Sequence, residues 1–124
     1  KLDDILIENK KRYKAFEENL PVDLEKRMIP AKCEQIHDTY IFSVDSDSKK
    51  AKIVDVLNKE GFGTKNLPDA VEWHCTAFWD HALDNKQIVH SQKTRKLLDR
   101  TIAVPIWLRK NPDEYALLAR MLFS

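Results

Sequence analysis

Glycine is scarce in this sequence. Only Gly61 and Gly63 occur in 124 residues, where an average usage of about 7% would give about nine. Glycine-rich loops that cradle phosphates or dinucleotides are therefore excluded, and neither Gly-x-Ser-x-Gly nor Cys-x-x-Cys occurs. Both glycines follow a helical pattern, and we expect Gly61 to end that helix in the left-handed conformation.

Cysteine and net charge are low as well. Cys33 and Cys75 lie far apart, so they predict no disulfide framework and indicate a reducing compartment. The 21 Lys+Arg nearly balance the 20 Asp+Glu, and the net charge of +1 lacks the basic excess of a nucleic-acid-binding protein. No apolar run approaches the roughly 20 residues of a membrane span. We therefore expect a cytoplasmic protein with neither nucleic acid nor membrane as partner.

The chain is long enough for one domain with its own hydrophobic core. Apolar periodicity and capping signals predict helices over residues 1–20, 48–60, 86–100 and from 112 onward. Residues rich in β-branched and aromatic side chains predict strands over 39–44 and 101–107. This order predicts an α+β fold with helices packed on a small sheet.

Local signals add detail to this pattern. Asp47 or Ser48 is the expected N-cap of the second helix, and Asn111 followed by Pro112 is the expected start of the last. Residues 22–38 are predicted to form a connector, and residues 65–84 are predicted to form an irregular stretch. The basic run 10–12 is predicted to be a solvated helix face.

The irregular stretch carries most of the side chains that could do chemistry. Its polar and aromatic residues are Lys65, Asn66, Asp69, Glu72, Trp73, His74, Cys75, Trp79, Asp80 and His81. Such a composition is typical of a loop that lines a pocket, because these side chains are not needed for core packing.

A metal site is another interpretation of this stretch. A metal site would draw on His74, Cys75 and His81, with Cys33 and His37 as further ligands, but the spacing lacks the paired pattern of structural zinc sites. We expect no metal and favour cysteines that are small buried hydrophobes.

The tryptophans support a different alternative. They are more often core or interface anchors than ligand platforms. A stand-alone α+β binding module would use them as a recognition surface for a protein or ligand, and its members would be Trp73, Trp79 and Trp107.

The order of several segments resembles the C-terminal small domain of DegT-type sugar aminotransferases, which are pyridoxal-phosphate enzymes of fold type I. The segments are Glu8-Asn9-Lys10-Lys11-Arg12-Tyr13, His37-Asp38-Thr39-Tyr40-Ile41-Phe42-Ser43-Val44, Glu60-Gly61-Phe62-Gly63-Thr64, His74, Leu97-Leu98-Asp99-Arg100-Thr101-Ile102-Ala103-Val104-Pro105-Ile106-Trp107 and Asn111-Pro112-Asp113-Glu114-Tyr115. The resemblance spans essentially the whole chain. Residues 65–69 and 73–81 look closer to the branch that aminates an eight-carbon keto sugar acid than to sugar-nucleotide members.

The resemblance implies a C-terminal fragment, residues 1–124, of a longer cytoplasmic transaminase for cell-surface polysaccharide. The lysine that forms the Schiff base with pyridoxal phosphate would lie in a large domain outside this chain. The fragment would then hold no cofactor and be inactive alone, whereas the parent would be a homodimer acting on an amino-acid donor and a keto sugar. The residues implied to contact substrate are Lys65, Asn66, His74 and His81.

Overall fold

The computed structural model describes the backbone of residues 1–124 and all side chains except those of residues 89 and 90. The helices are α1 (Leu2–Glu17), α2 (Asp47–Lys59), α3 (Val71–His74), α4 (Asn85–Leu98) and α5 (Pro112–Leu122), with a 3-10 turn at Thr76–Phe78. The strands are β1 (Glu25–Lys26), β2 (Thr39–Ser43) and β3 (Thr101–Pro105). The predicted α+β class, with helices on a small sheet, is confirmed.

The sheet is antiparallel in the order β1-β2-β3. In the β2–β3 ladder, Tyr40 lies opposite Val104 and Phe42 opposite Ile102. These four side chains are buried and face the helices, because alternate residues of a strand point to the same side. The intervening residues, such as Ile41, point to the other face of the sheet.

The hydrophobic core lies between the first face of the sheet and α1, α2 and α5. Its members from the helices include Tyr13, Phe16, Ile53, Leu57, Tyr115, Leu118 and Leu122. Tyr115 also ties α5 to the sheet, since its hydroxyl donates to the Pro105 carbonyl at 2.9 Å and accepts from the Trp107 amide at 2.6 Å. Burial of these side chains is the main favourable contribution to folding.

Several boundaries agree with the capping signals. Asn111 caps α5 with Pro112 in its first turn, and Glu114 completes a capping box. The N-cap of α2, however, is Ser46, whose hydroxyl accepts from the Lys49 amide at 3.3 Å; the prediction of Asp47 or Ser48 was wrong. Asp84 caps α4 through a second capping box.

Three expectations need correction. The connector 22–38 contains the short strand β1, which pairs with β2. The stretch 65–84 is not wholly irregular, since it contains α3 and the 3-10 turn. α1 ends at Glu17, short of the predicted end at residue 20.

The basic run in α1 is not a uniform solvated face. Arg12 is buried, with 8% of its surface exposed. Its Nε donates to the Lys110 carbonyl at 2.6 Å, its Nη2 to the Leu108 carbonyl at 3.2 Å, and its Nη1 to Glu8. Arg12 therefore fastens α1 to the loop between β3 and α5.

Among the residues that the structure describes, no helix combines the length and the apolar character needed to cross a membrane.

Candidate functional site

The second face of the sheet carries a cavity of about 380 Å³. This volume falls in the range of small-molecule sites, about 300–1,000 Å³. Its floor comes from β2 and β3, and its rim comes from the segments around residues 27, 38, 65–67 and 74. The lining residues are Arg27, Asp38, Thr39, Ile41, Lys65, Asn66, Leu67, His74, Leu98 and Ala103. We call it the sheet cavity.

A tight turn after α2 delivers the chain to this cavity. Gly61 and Gly63 have φ angles of +73° and +68°, in the left-handed region that residues with a Cβ atom rarely adopt. The amides of Phe62 and Gly63 both donate to the Leu57 carbonyl, at 2.9 and 3.0 Å, and so close the end of α2. The predicted left-handed conformation of Gly61 is confirmed.

The segment after this turn lies along the outer side of β3. The Lys65 amide donates to the Ala103 carbonyl at 2.8 Å, and the Ala103 amide donates to the Leu67 carbonyl at 3.1 Å. Asn66, between them, adopts a positive φ of 69°. These backbone bonds place Lys65 and Asn66 at the rim of the sheet cavity.

Lys65 forms an ion pair across the rim of the cavity. Its Nζ lies 2.5 Å from Asp38 Oδ2, and both side chains are about 40% exposed. Burial raises the pKa of the Asp38 carboxyl, but the hydrogen bond and charge of Lys65, with a further bond from Thr39, outweigh it and lower the pKa. The pair presents both an anionic acceptor and a cationic donor to a ligand.

Lys65→Met should raise the pKa of Asp38 relative to the unsubstituted protein, because the hydrogen bond and charge of Lys65, which oppose the effect of burial, would be lost. In the unsubstituted protein the folded-state pKa lies below the ordinary 3.8, so the pair stabilises the fold above pH 3.8 and loses this contribution as the pH falls through the lowered value. Carbon-detected NMR titration of the Asp38 carboxyl measures the shift. Lys59→Met, which removes the exposed partner of Asp55, is the matched control. An Asp38 pKa that stays the same without Lys65 would contradict this account.

His74 reaches the sheet cavity from the last position of α3. The next residue, Cys75, is 1% exposed and its amide donates to the Val71 carbonyl at 2.9 Å, so the buried thiol anchors the end of this short helix. His74 itself is exposed. Its imidazole is therefore held at the cavity rim, where it can donate or accept a hydrogen bond.

Arg27 is a lining residue that sequence reasoning missed. It follows β1, and its amide donates to the Ile41 carbonyl at 3.1 Å, which extends the pairing with β2. Its Nη2 lies 3.5 Å from Gln35 Oε1, at the limit of hydrogen bonding. The short strand β1 places it here, and two residues are too few to give a periodic signal.

His81 lies elsewhere. Three of the four residues implied to contact substrate, Lys65, Asn66 and His74, line the sheet cavity, whereas His81 lines a second cavity of about 710 Å³. We call the latter the tryptophan cavity; its lining residues are Glu72, Trp73, Phe78, Trp79, His81 and Ala82. Trp107 does not line this cavity; its Nε1 donates to the Phe62 carbonyl at 2.9 Å.

The cysteines differ in their environment. Cys75 is buried as predicted, whereas Cys33 is exposed, so the expectation of two buried cysteines was wrong for Cys33. Within the part of the chain whose side chains are described, no group of three or more His, Cys, Asp or Glu residues is arranged to hold a metal ion.

Comparison with known proteins finds no match. No family model matches the chain, and no curated protein or solved structure is significantly similar to it.

Proposed function

We propose that this chain is the substrate-side domain of a cytoplasmic pyridoxal-phosphate aminotransferase that transfers an amino group to an acidic keto sugar. The observation that carries the proposal is the sheet cavity, which the adjacent residues Lys65 and Asn66 line together with His74 from α3. A keto sugar presents hydroxyl groups that both donate and accept. Amide, imidazole and ion-paired side chains around one cavity suit such a ligand.

Arg27 favours an acidic ligand. A guanidinium binds a carboxylate or phosphate through two parallel hydrogen bonds, and this side chain lines the cavity beside Lys65. Lys65 is ion-paired with Asp38, whereas the side chain of Arg27 makes its hydrogen bond to the neutral Gln35. The proposed role of Arg27 is therefore to orient the anionic group, and that of Asn66 and His74 is to position the sugar hydroxyls.

The lysine that forms the Schiff base with pyridoxal phosphate is not assigned to this chain. Among the described side chains, Lys65 is the one lysine that lines the sheet cavity, and its amine is engaged in the ion pair with Asp38. In the proposed enzyme the lysine and phosphate contacts of the cofactor belong to another domain, and a homodimer is the proposed assembly.

His74→Ala is expected to raise KM or lower kcat by about tenfold or more in the complete enzyme, since one lost hydrogen bond to substrate is worth about that factor. The measurement is steady-state formation of the aminated sugar by mass spectrometry, with an acidic keto sugar and an amino-acid donor. His81→Ala, in the other cavity, is the matched control and should change kcat/KM less than twofold. Equal effects of the two variants would contradict the assignment of the sheet cavity.

The reaction itself has a separate test. Absence of any aminated sugar with the unsubstituted complete enzyme would overturn the aminotransferase proposal whatever the variants do. Binding of the acidic sugar to the 124-residue chain, followed by NMR, would then still report whether the cavity is a sugar site.

A further inference from the structure

The tryptophan cavity is unlike the rest of the surface. Trp73 is 80% exposed and Trp79 is 37% exposed. Tryptophan is highly buried on average in folded proteins, and exposed aromatic patches mark interaction sites. This cavity is also nearly twice the volume of the sheet cavity.

The exposed indoles stand on an anchored segment. Cys75 and Ala77, between them in sequence, are buried with 1% and 9% of their surface exposed. The Nε1 of Trp79 donates to the Glu72 carbonyl at 3.1 Å, which fixes that indole against α3. A prearranged aromatic surface loses little conformational entropy when it binds a partner.

The segment that supplies the lining of this cavity is acidic. Residues 66–85 contain four acidic side chains and no lysine or arginine, in a chain with 21 basic residues; the acids are Asp69, Glu72, Asp80 and Asp84. Glu72 is itself a lining residue. His81, on the rim, has its Nδ1 4.0 Å from Asp80 and is 77% exposed. Such a surface attracts positive charge.

One ring of the cavity already carries a cation. The guanidinium carbon of Arg95, from α4, lies 4.4 Å from the centre of the Phe78 ring, and its Nε lies 3.7 Å from Asp99. This contact is a cation–π interaction within the chain. Because Arg95 uses the Phe78 ring, the indoles of Trp73 and Trp79 are the aromatic surfaces left for a partner.

We propose that the tryptophan cavity binds an arginine- or lysine-bearing polypeptide segment of a partner protein. The cationic side chain would lie against Trp73 with Glu72 as its counter-charge. A cavity of about 710 Å³ is larger than a lone ammonium head group requires, and it suits a side chain together with its flanking backbone. This proposal is independent of the one for the sheet cavity.

The test uses the ¹⁵N-labelled chain and follows its three indole N–H signals by NMR. The probe is the peptide acetyl-Gly-Arg-Gly-Arg-Gly-amide, and the same peptide with glutamate in place of arginine is its control. We expect the arginine peptide to shift the Trp73 and Trp79 signals and to leave Trp107 unmoved. No shift at millimolar peptide, equal shifts with the glutamate peptide, or an equal shift of Trp107 would each overturn the proposal.

Variants separate the aromatic and charged contributions. Trp73→Ala should weaken peptide binding about five- to tenfold. Glu72→Gln should weaken it about threefold, and this effect of Glu72→Gln should vanish at high salt. Leu117→Ala, which removes an exposed apolar side chain of α5, is the control and should bind normally. Choline tests the size argument, because choline binding as tightly as the peptide would overturn the polypeptide assignment.

Discussion

Replacing Phe42 with Ala is expected to lower the free energy of unfolding by about 3–5 kcal/mol, the usual cost of removing a phenyl ring from a packed core. Phe42 is the fourth of the five residues of β2 and is fully buried, with Ile102 opposite it. Its ring centre lies 5.9 Å from that of Phe123 and 6.3 Å from that of Tyr40. The space vacated lies between the sheet and the helices, where neither layer can close it without moving the other. Urea denaturation followed by circular dichroism measures the loss.

Two controls make this prediction specific. Phe42→Leu keeps an apolar side chain of similar reach and should cost less than about 1.5 kcal/mol. Ile41→Ala removes the neighbouring side chain on the opposite face, which is only half-buried, and should cost about 1 kcal/mol. If Ile41→Ala destabilised the protein as much as Phe42→Ala, the assignment of the two sheet faces would be wrong.

Arg12→Ala should lower the free energy of unfolding by about 2–4 kcal/mol, because the guanidinium makes charge-assisted hydrogen bonds to the carbonyls of Leu108 and Lys110. These carbonyls lie in the loop that leads into α5. Without the guanidinium they lose their partner, and α1 loses its attachment to that loop. The change is measured by the same denaturation experiment.

Lys11→Ala is the matched control for Arg12. Lys11 is the preceding residue and pairs with the same Glu8 at 2.6 Å, but it is 58% exposed. Its loss should change stability by less than about 0.5 kcal/mol. Arg12→Lys keeps the charge but not the planar fork, so we expect it to lose most of the stabilisation. A fully stable Arg12→Lys protein would show that charge, rather than hydrogen-bond geometry, holds the loop.

These two residues also illustrate what sequence reasoning can reach. Phe42 lies in a run of β-branched and aromatic residues, so local composition predicted its strand. Arg12 lies in a basic run on an amphipathic helix, where a solvated face is the usual outcome. Its burial depends on carbonyl groups nearly a hundred residues later, and no local pattern carries that information.

The residues of the candidate site were also predicted only in part. The polar composition of 65–84 indicated a pocket-lining segment, and the structure places Lys65, Asn66 and His74 at one cavity. It also separates His81 from them, because α3 and the 3-10 turn direct the chain to another surface. Arg27 was not predicted as a site residue, because its position depends on pairing with β2, which is a long-range contact.

The two edges of the sheet limit how this protein can associate. On one side, β1 is only two residues long, and on the other the segment 65–67 already bonds to Ala103 of β3. Exposed strands of full length are templates for strand addition and for edge-to-edge aggregation. In this protein neither edge is a long unpaired strand, so a strand of another chain has few free backbone groups to pair with. The recognition proposed at the two cavities therefore depends on side chains, and substitutions there would change specificity without lengthening an exposed strand edge.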